Sequence, residues 1–136
     1  MGGSAPELEI TIISAKHLKN VNWRNGDLRP YATFWFNYNY DKPRNTTKVD
    51  NSNSTKPVWD EHFVIGLPFP PYSTFLKLEI RHNAQPLHLR KHLVGTLLFK
   101  LKDLPDPENS NLIRKFDLTR PSGRPNGKIH LKLCFP

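Results

Sequence analysis

Between Glu79 and Asp103 the chain carries no acidic residue. Other scarcities bound the problem before that gap can be used. A single cysteine, Cys134, cannot close an internal disulfide, so no disulfide framework is expected, which suits a reducing compartment. No apolar run approaches the ~20 residues that a membrane-spanning helix needs. The N-terminus has no signal-peptide hydrophobic region. Pro6 stands where myristoylation after Met1-Gly2 would need Ser or Thr, so no lipid anchor is expected. No stretch keeps a helical apolar period. A glycine-rich phosphate loop, a nucleophile elbow and paired catalytic carboxylates are also missing, and no enzyme is expected.

What is present is enough for one hydrophobic core: 136 residues, read as a single domain over 1–136. Residues 1–6 form a tail whose Gly-Gly-Ser reads equally as native or as a cloning remnant. The net charge of +8 draws such a chain to anionic partners: phospholipid headgroups, nucleic acid or an acidic protein. Period-two alternation puts Leu8, Ile10 and Ile12 on one face of a strand over 8–14. It also puts Leu76, Leu78 and Ile80 inward over 75–81, with Lys77, Glu79 and Arg81 outward, and aligns Ile129, Leu131 and Leu133 over 127–135. Further strands are predicted over 31–37, 46–50, 58–65, 93–99 and 112–118, with a short turn or helical piece at 101–104. The 13 prolines concentrate in the connections, where they leave strand pairing intact. Eight short strands separated by turns predict an all-β fold, a sandwich or a barrel.

Four motifs in order give the chain a family resemblance. They are the opening LEITIISAKHLKN, Pro30-Tyr31 leading into an aromatic strand, Thr55-Lys56-Pro57-Val58-Trp59-Asp60-Glu61-His62-Phe63, and Leu93-Val94-Gly95. Together they resemble a C2 domain nearly end to end. Ile13-Ser14-Ala15 and Lys48-Val49-Asp50 resemble in particular the small single-domain plant C2 proteins of cold- and pathogen-response type. The resemblance implies an eight-stranded antiparallel β-sandwich with three loops at one tip, here Lys19 to Arg29, Asn51 to Lys56 and His82 to His92.

C2 domains that bind calcium resemble one another in carboxylates on the first and third of these loops. Here the matching positions hold Trp23, Arg29, the run His82 to Pro86, and His92, and Asp27 is the only acid of the first loop. Ca²⁺ wants six to eight oxygen ligands, so no metal or other cofactor is expected at this tip. Cations stand there instead. Arg24, Arg29, Arg90, Lys91 and His92 are expected to contact phosphate directly, with Trp23, Leu87 and Leu89 supplying shallow apolar insertion. A second basic surface, of the kind many C2 domains carry on their third and fourth strands, is expected from Lys42, Arg44, Lys48, Lys56 and His62, flanked by Lys77 and Arg81. Alternation over 46–50 puts Thr46, Lys48 and Asp50 on one side.

Competing chemistry is weaker. His88 and His92 have metal-ligand spacing only on a helix, which their loop does not promise. His130 and Cys134 share a strand face but stand ~13 Å apart, too far for a nucleophile and its base. The aromatics around Tyr31 to Tyr40 fit a sandwich core better than a base-stacking platform, so nucleic acid is not the expected partner. The sequence predicts a cytoplasmic, calcium-independent domain. It docks peripherally on anionic phospholipid, at the inner face of the plasma membrane or another anionic membrane. The alternative is an adaptor that uses a calcium-free C2 scaffold to hold a membrane-associated or immune-related protein, with Tyr38, Tyr40, Phe69 and Tyr72 as candidate contacts.

Overall fold

The structure is a computed structural model that describes residues 7–37, 44–68, 71–83, 92–103 and 113–134. Eight antiparallel strands follow one another: β1 (Glu7–Lys16), β2 (Pro30–Phe36), β3 (Asn45–Thr46), β4 (Val58–Gly66), β5 (Phe75–His82), β6 (His92–Lys100), β7 (Ile113–Thr119) and β8 (Pro125–Cys134). Short 3₁₀ turns at Pro71–Ser73 and Leu101–Asp103 close the end away from the loops. The hydrogen-bonded order is β3-β2-β5-β6-β7-β8-β1-β4. The β6–β7 junction is the single pair Thr96↔Thr119. That weak hinge divides the order into a front sheet, β3-β2-β5-β6, and a rear sheet, β7-β8-β1-β4.

The two sheets bury the residues that alternation assigns inward. Leu8, Ile10, Ile12, Ile129 and Leu131 line the rear layer, and Ala32, Phe34, Phe36, Leu76, Leu78 and Ile80 line the front, all fully buried. Phe34 of β2 meets Phe63 of β4 edge to face at 5.1 Å between centroids, which locks one layer onto the other. Complete burial of each such side chain contributes ~1.5–3 kcal/mol, so these positions and not the polar ones hold the sandwich together. Trp59, from the most specific of the four motifs, is a core residue whose Nε1–H donates to the Pro30 carbonyl across the layers at 3.3 Å. Gly95 is small because a Cβ there would come within 3.2 Å of the Leu118 Cβ, where the two sheets meet.

Two expectations change. The strand predicted over 46–50 pairs as β3 only at Asn45 and Thr46. Thr47 then turns inward and its Oγ1 accepts the Ala32 N–H, so the period-two pattern fails and Asp50 is buried while Lys48 stays exposed. Glu79, expected to face solvent, is also buried, at 7% exposure. It does lie on the outer side of β5, and the arginines gathered over it exclude the water.

Candidate functional site

The loops at one end of the sandwich are built largely by asparagine. The Asn20 Oδ1 accepts the Asn22 N–H, and the Asn20 Nδ2 donates to the Gly26 carbonyl. The Asn22 carbonyl accepts from Asn25 and Gly26, and its Nδ2 donates to the Asp27 carbonyl. Side chains here replace the strand ladder that the loop lacks. Leu28 is fully buried at the exit, and its N–H donates to the Ser54 Oγ of the second loop. Trp23 and Arg24 are left at the apex. Trp23 is 65% exposed, and the Arg24 guanidinium lies 4.8 Å from its ring centroid.

The second loop turns on Asp50. Its carboxylate accepts the N–H groups of Ser52, Asn53 and Val58 and the Asn53 side-chain amide, at 2.8–3.0 Å. Burial alone would raise its pKa. The hydrogen bonds from Asn53, Val58 and Ser52 outweigh that and leave the carboxyl below its usual value of 3.8. An acid so committed holds the turn and is a poor metal ligand. Asp27 is exposed in the first loop, with no second acid there to share an ion. Among the described residues no three His, Cys, Asp or Glu side chains gather where they could hold a metal ion.

Of the expected tip residues, the structure brings Trp23 and Arg24 into contact. Arg29 sits where β2 begins: its N–H donates to the His82 Nδ1, and its carbonyl accepts from Asn83. The Arg29 Nε is buried and makes no hydrogen bond to the described residues. Lys56 is exposed in the second loop and so belongs to this tip, not to the second surface. His92 opens β6, with its side chain outside the described residues. Leu87, Leu89, Arg90 and Lys91 lie outside them too, as do Lys42, Tyr38, Tyr40, Phe69 and the Tyr72 side chain.

The second basic surface is split up. β3 and β4 stand at opposite ends of the strand order and do not pair. His62 points outward from the rear sheet and pairs with Glu9 at 3.2 Å. On the outer side of the front sheet, one oxygen of Glu79 accepts from the Arg44 Nη1 at 3.1 Å and from the Arg81 Nε and Nη2 at 3.0 and 2.8 Å. Arg44 also stacks on Trp35 at 3.8 Å, with Lys77 on the same ring at 5.5 Å. The cations surround an open cleft of about 580 Å³ lined by Tyr31, Thr33, Arg44, Thr46, Arg81 and Asn83. Two of its arginines are already balanced by an internal carboxylate.

Sequence reasoning missed a neighbour of the tip. The β7–β8 turn, closed by Arg120 N–H to the Arg124 carbonyl, lies at the same end. Asn126 fastens it by accepting the Lys19 N–H at 2.7 Å and donating to the Val94 carbonyl at 2.6 Å. Gly127 (φ 76°) permits the approach, since a Cβ there would stand 2.3 Å from the Lys16 carbonyl. Exposed Lys16, His17, Lys19 and Arg124 therefore border the first loop. The turn was legible in Arg120-Pro121-Ser122-Gly123-Arg124-Pro125. Which end of the sandwich it occupies was not.

The chain is matched by a family model, "C2 domain", over residues 6–116. The chain belongs to the C2 domain family. Solved structures agree on the fold. A C2 domain of plant Extended Synaptotagmin 1 superposes with a TM-score of 0.76 at 17% identity, covering 98% of this chain and 96% of that one. A C2 domain-containing protein ascribed to an elicitor-responsive gene gives 0.70 at 20% identity, over 100% and 94%. The three-domain chain of Extended-Synaptotagmin 2 gives 0.73 at 21% identity; 98% of this chain is covered but only 28% of that one. No curated protein sequence matches. Among the described residues of this C2 domain, no helix is long and apolar enough to cross a membrane.

Proposed function

We propose that this C2 domain docks tip-first on anionic phospholipid without Ca²⁺ and performs no catalysis. The observation that carries the reading is Trp23, held 65% exposed at the apex of a hydrogen-bonded loop with Arg24 against its ring. Tryptophan favours the headgroup boundary, where the ring is buried and the N–H stays wet. Arginine reads phosphate through a bidentate fork. Asp27 and the committed Asp50 do not supply the oxygen shell that Ca²⁺ demands.

Magnitudes show why both residue types are needed. Lys19, Arg24, Arg29 and Lys56 contribute ~1 kcal/mol each near an anionic leaflet, together only about millimolar affinity. Burying the Trp23 ring adds ~2 kcal/mol and brings binding to tens of micromolar in order of magnitude. Arg90, Lys91, His92, Leu87 and Leu89 extend the same tip in this proposal. The anionic inner face of the plasma membrane, or another anionic cytoplasmic surface, is the place such a tip fits. The likeness to a protein ascribed to an elicitor-responsive gene supports a role in plant stress or defence responses.

Vesicle co-sedimentation tests this across anionic lipid fraction and salt, with EGTA and with Ca²⁺. Binding should rise with anionic lipid, fall with salt and ignore Ca²⁺. The Trp23→Ala variant should weaken it about thirtyfold, the effect of ~2 kcal/mol. Binding that requires Ca²⁺, or that survives Trp23→Ala unchanged, overturns the reading.

A further inference from the structure

The rear sheet carries a cationic surface that neither the tip nor the front cleft uses. Along β8 the outward positions are Lys128, His130 and Lys132, successive members about 6.8 Å apart. The pairings Asp117↔Lys128, Lys115↔His130 and Ile113↔Lys132 add β7, and Lys16↔Lys128, Ser14↔His130 and Thr11↔Lys132 add β1. Lys16, Lys115 and Lys128 are exposed; Lys132 and His130 are half-buried. Among the described residues two acids share this face: Glu9, opposite Cys134 at its far end, and Asp117, which pairs with Lys128 at 2.9 Å in an exposed contact. Such a contact contributes little. Hydroxyls lie between the lysines, and the Ser14 Oγ sits 3.1 Å from the His130 Nδ1. Ile113, beside Lys132, is 61% exposed. Glu9, paired with His62, bounds the patch toward β4.

We propose that this β7–β8–β1 face binds an acidic, extended segment of a partner protein. The pitch argues for an extended chain, because outward positions along β8 repeat at the spacing of alternate side chains on a strand. Alternate residues of a bound acidic stretch meet Lys128, then the neutral His130 with Lys115 beside it, then Lys132. Ile113 offers an apolar contact at one end. The field of these lysines is unbalanced: after burial, Lys16 and Lys115 are what hold the His130 pKa below 6.5, so the imidazole stays neutral and leaves the charge to the lysines.

Orientation argues against lipid as the occupant. A domain that stands on its tip turns its sheet faces sideways. Lys132 lies about 13 Å along β8 from Lys128, beyond the ~8 Å over which physiological salt screens an exposed charge. The exclusion of lipid rests on tip-first docking, so the experiment reads the two separately. The probe is a fluorescent peptide of alternating glutamate and serine, measured by anisotropy without lipid, beside phosphatidylserine vesicle co-sedimentation.

The intact chain should bind the peptide in a salt-sensitive way. The variant Lys115→Glu/Lys132→Glu should weaken it about tenfold while sedimenting with vesicles normally. Trp23→Ala/Arg24→Glu should do the reverse. If the charge reversal disturbs folding, Lys115→Gln/Lys132→Gln carries the same test with a loss of about threefold. Peptide binding that is absent, or unchanged in the rear-face variants, overturns the inference and leaves tip docking standing. Loss of vesicle binding in those variants also overturns it, by making the face a membrane contact. Peptide binding through the rear face in a protein that ignores vesicles keeps this inference and removes the membrane reading.

Discussion

The two sheets of this C2 domain present basic outer faces that differ in one carboxylate. On the front, Glu79 draws Arg44 and Arg81 onto a single oxygen, and Trp35 holds Arg44 from the side. The cations there are largely spent on the fold. On the rear, Lys16, Lys115, Lys128 and Lys132 face Asp117, which lies at the edge of the group and remains solvated. A count of the cations named on each face, Arg44, Lys77 and Arg81 against Lys16, Lys115, Lys128 and Lys132, separates them by only one. What differs is where the opposing acid sits: buried at the centre of the front, exposed at the margin of the rear. A basic patch is available to a partner only to the extent that its charge is not already balanced within the protein.

The sharpest way to break that contrast is to remove the central acid. Glu79→Gln should lower stability by about 3 kcal/mol, because Arg81 is left poorly hydrated without its partner. It should also raise the front cleft's affinity for anions. A thermal melt reads the first effect and low-salt vesicle binding the second. A stable variant with unchanged binding would show that Glu79 is a bystander.

Next in size is the acid limb of the stability curve. Asp50 ties the end of the front-sheet edge to β4, and its folded pKa lies below 3.8. Its contribution is therefore complete above that value and is lost as pH falls through the folded pKa. Asp50→Asn should lower neutral-pH stability by ~2 kcal/mol, the worth of charge-assisted bonds, and flatten the curve below about pH 4. Urea titrations over a pH series check both.

The rear face should respond at milder acidity. The folded pKa of His130 lies below 6.5, held down by burial and by Lys16 and Lys115. Its neutral form favours the fold, so stability is present above 6.5 and falls as pH drops through that value toward the folded pKa. His130→Gln should abolish this step, visible as a smaller loss of melting temperature in the variant than in the parent as pH falls below 6.5. The smallest effect belongs to Asp117→Asn, expected to change stability by less than ~0.5 kcal/mol while tightening acidic-peptide binding. A loss of stability comparable to that of Glu79→Gln would erase the distinction between the faces.

Much of the fold was legible because its logic is local. Alternation at 8–14, 75–81 and 127–135 marked the buried apolar residues correctly but not Glu79, and Trp59 announced the family. It failed at 46–50, where Thr47 trades strand pairing for a side-chain bond to Ala32. The candidate site was legible in part. Trp23 and Arg24 lie together on the first loop, whereas His62 pairs with Glu9 and Arg44 with Glu79, since chain order does not reveal that β3 and β4 stand at opposite ends of the strand order.

The sequence by itself determined the all-β class, the inward faces and the scarcity of acid at the tip, because period-two burial and composition need no knowledge of distant neighbours. Tertiary structure alone decided which cations are balanced within the protein and which are not. Arg44 reaches Glu79 from outside β5, and Lys16 joins Lys115, Lys128 and Lys132 from the opposite end of the chain. Charges interact through space over a few ångströms, and their separation along the chain says nothing of that distance.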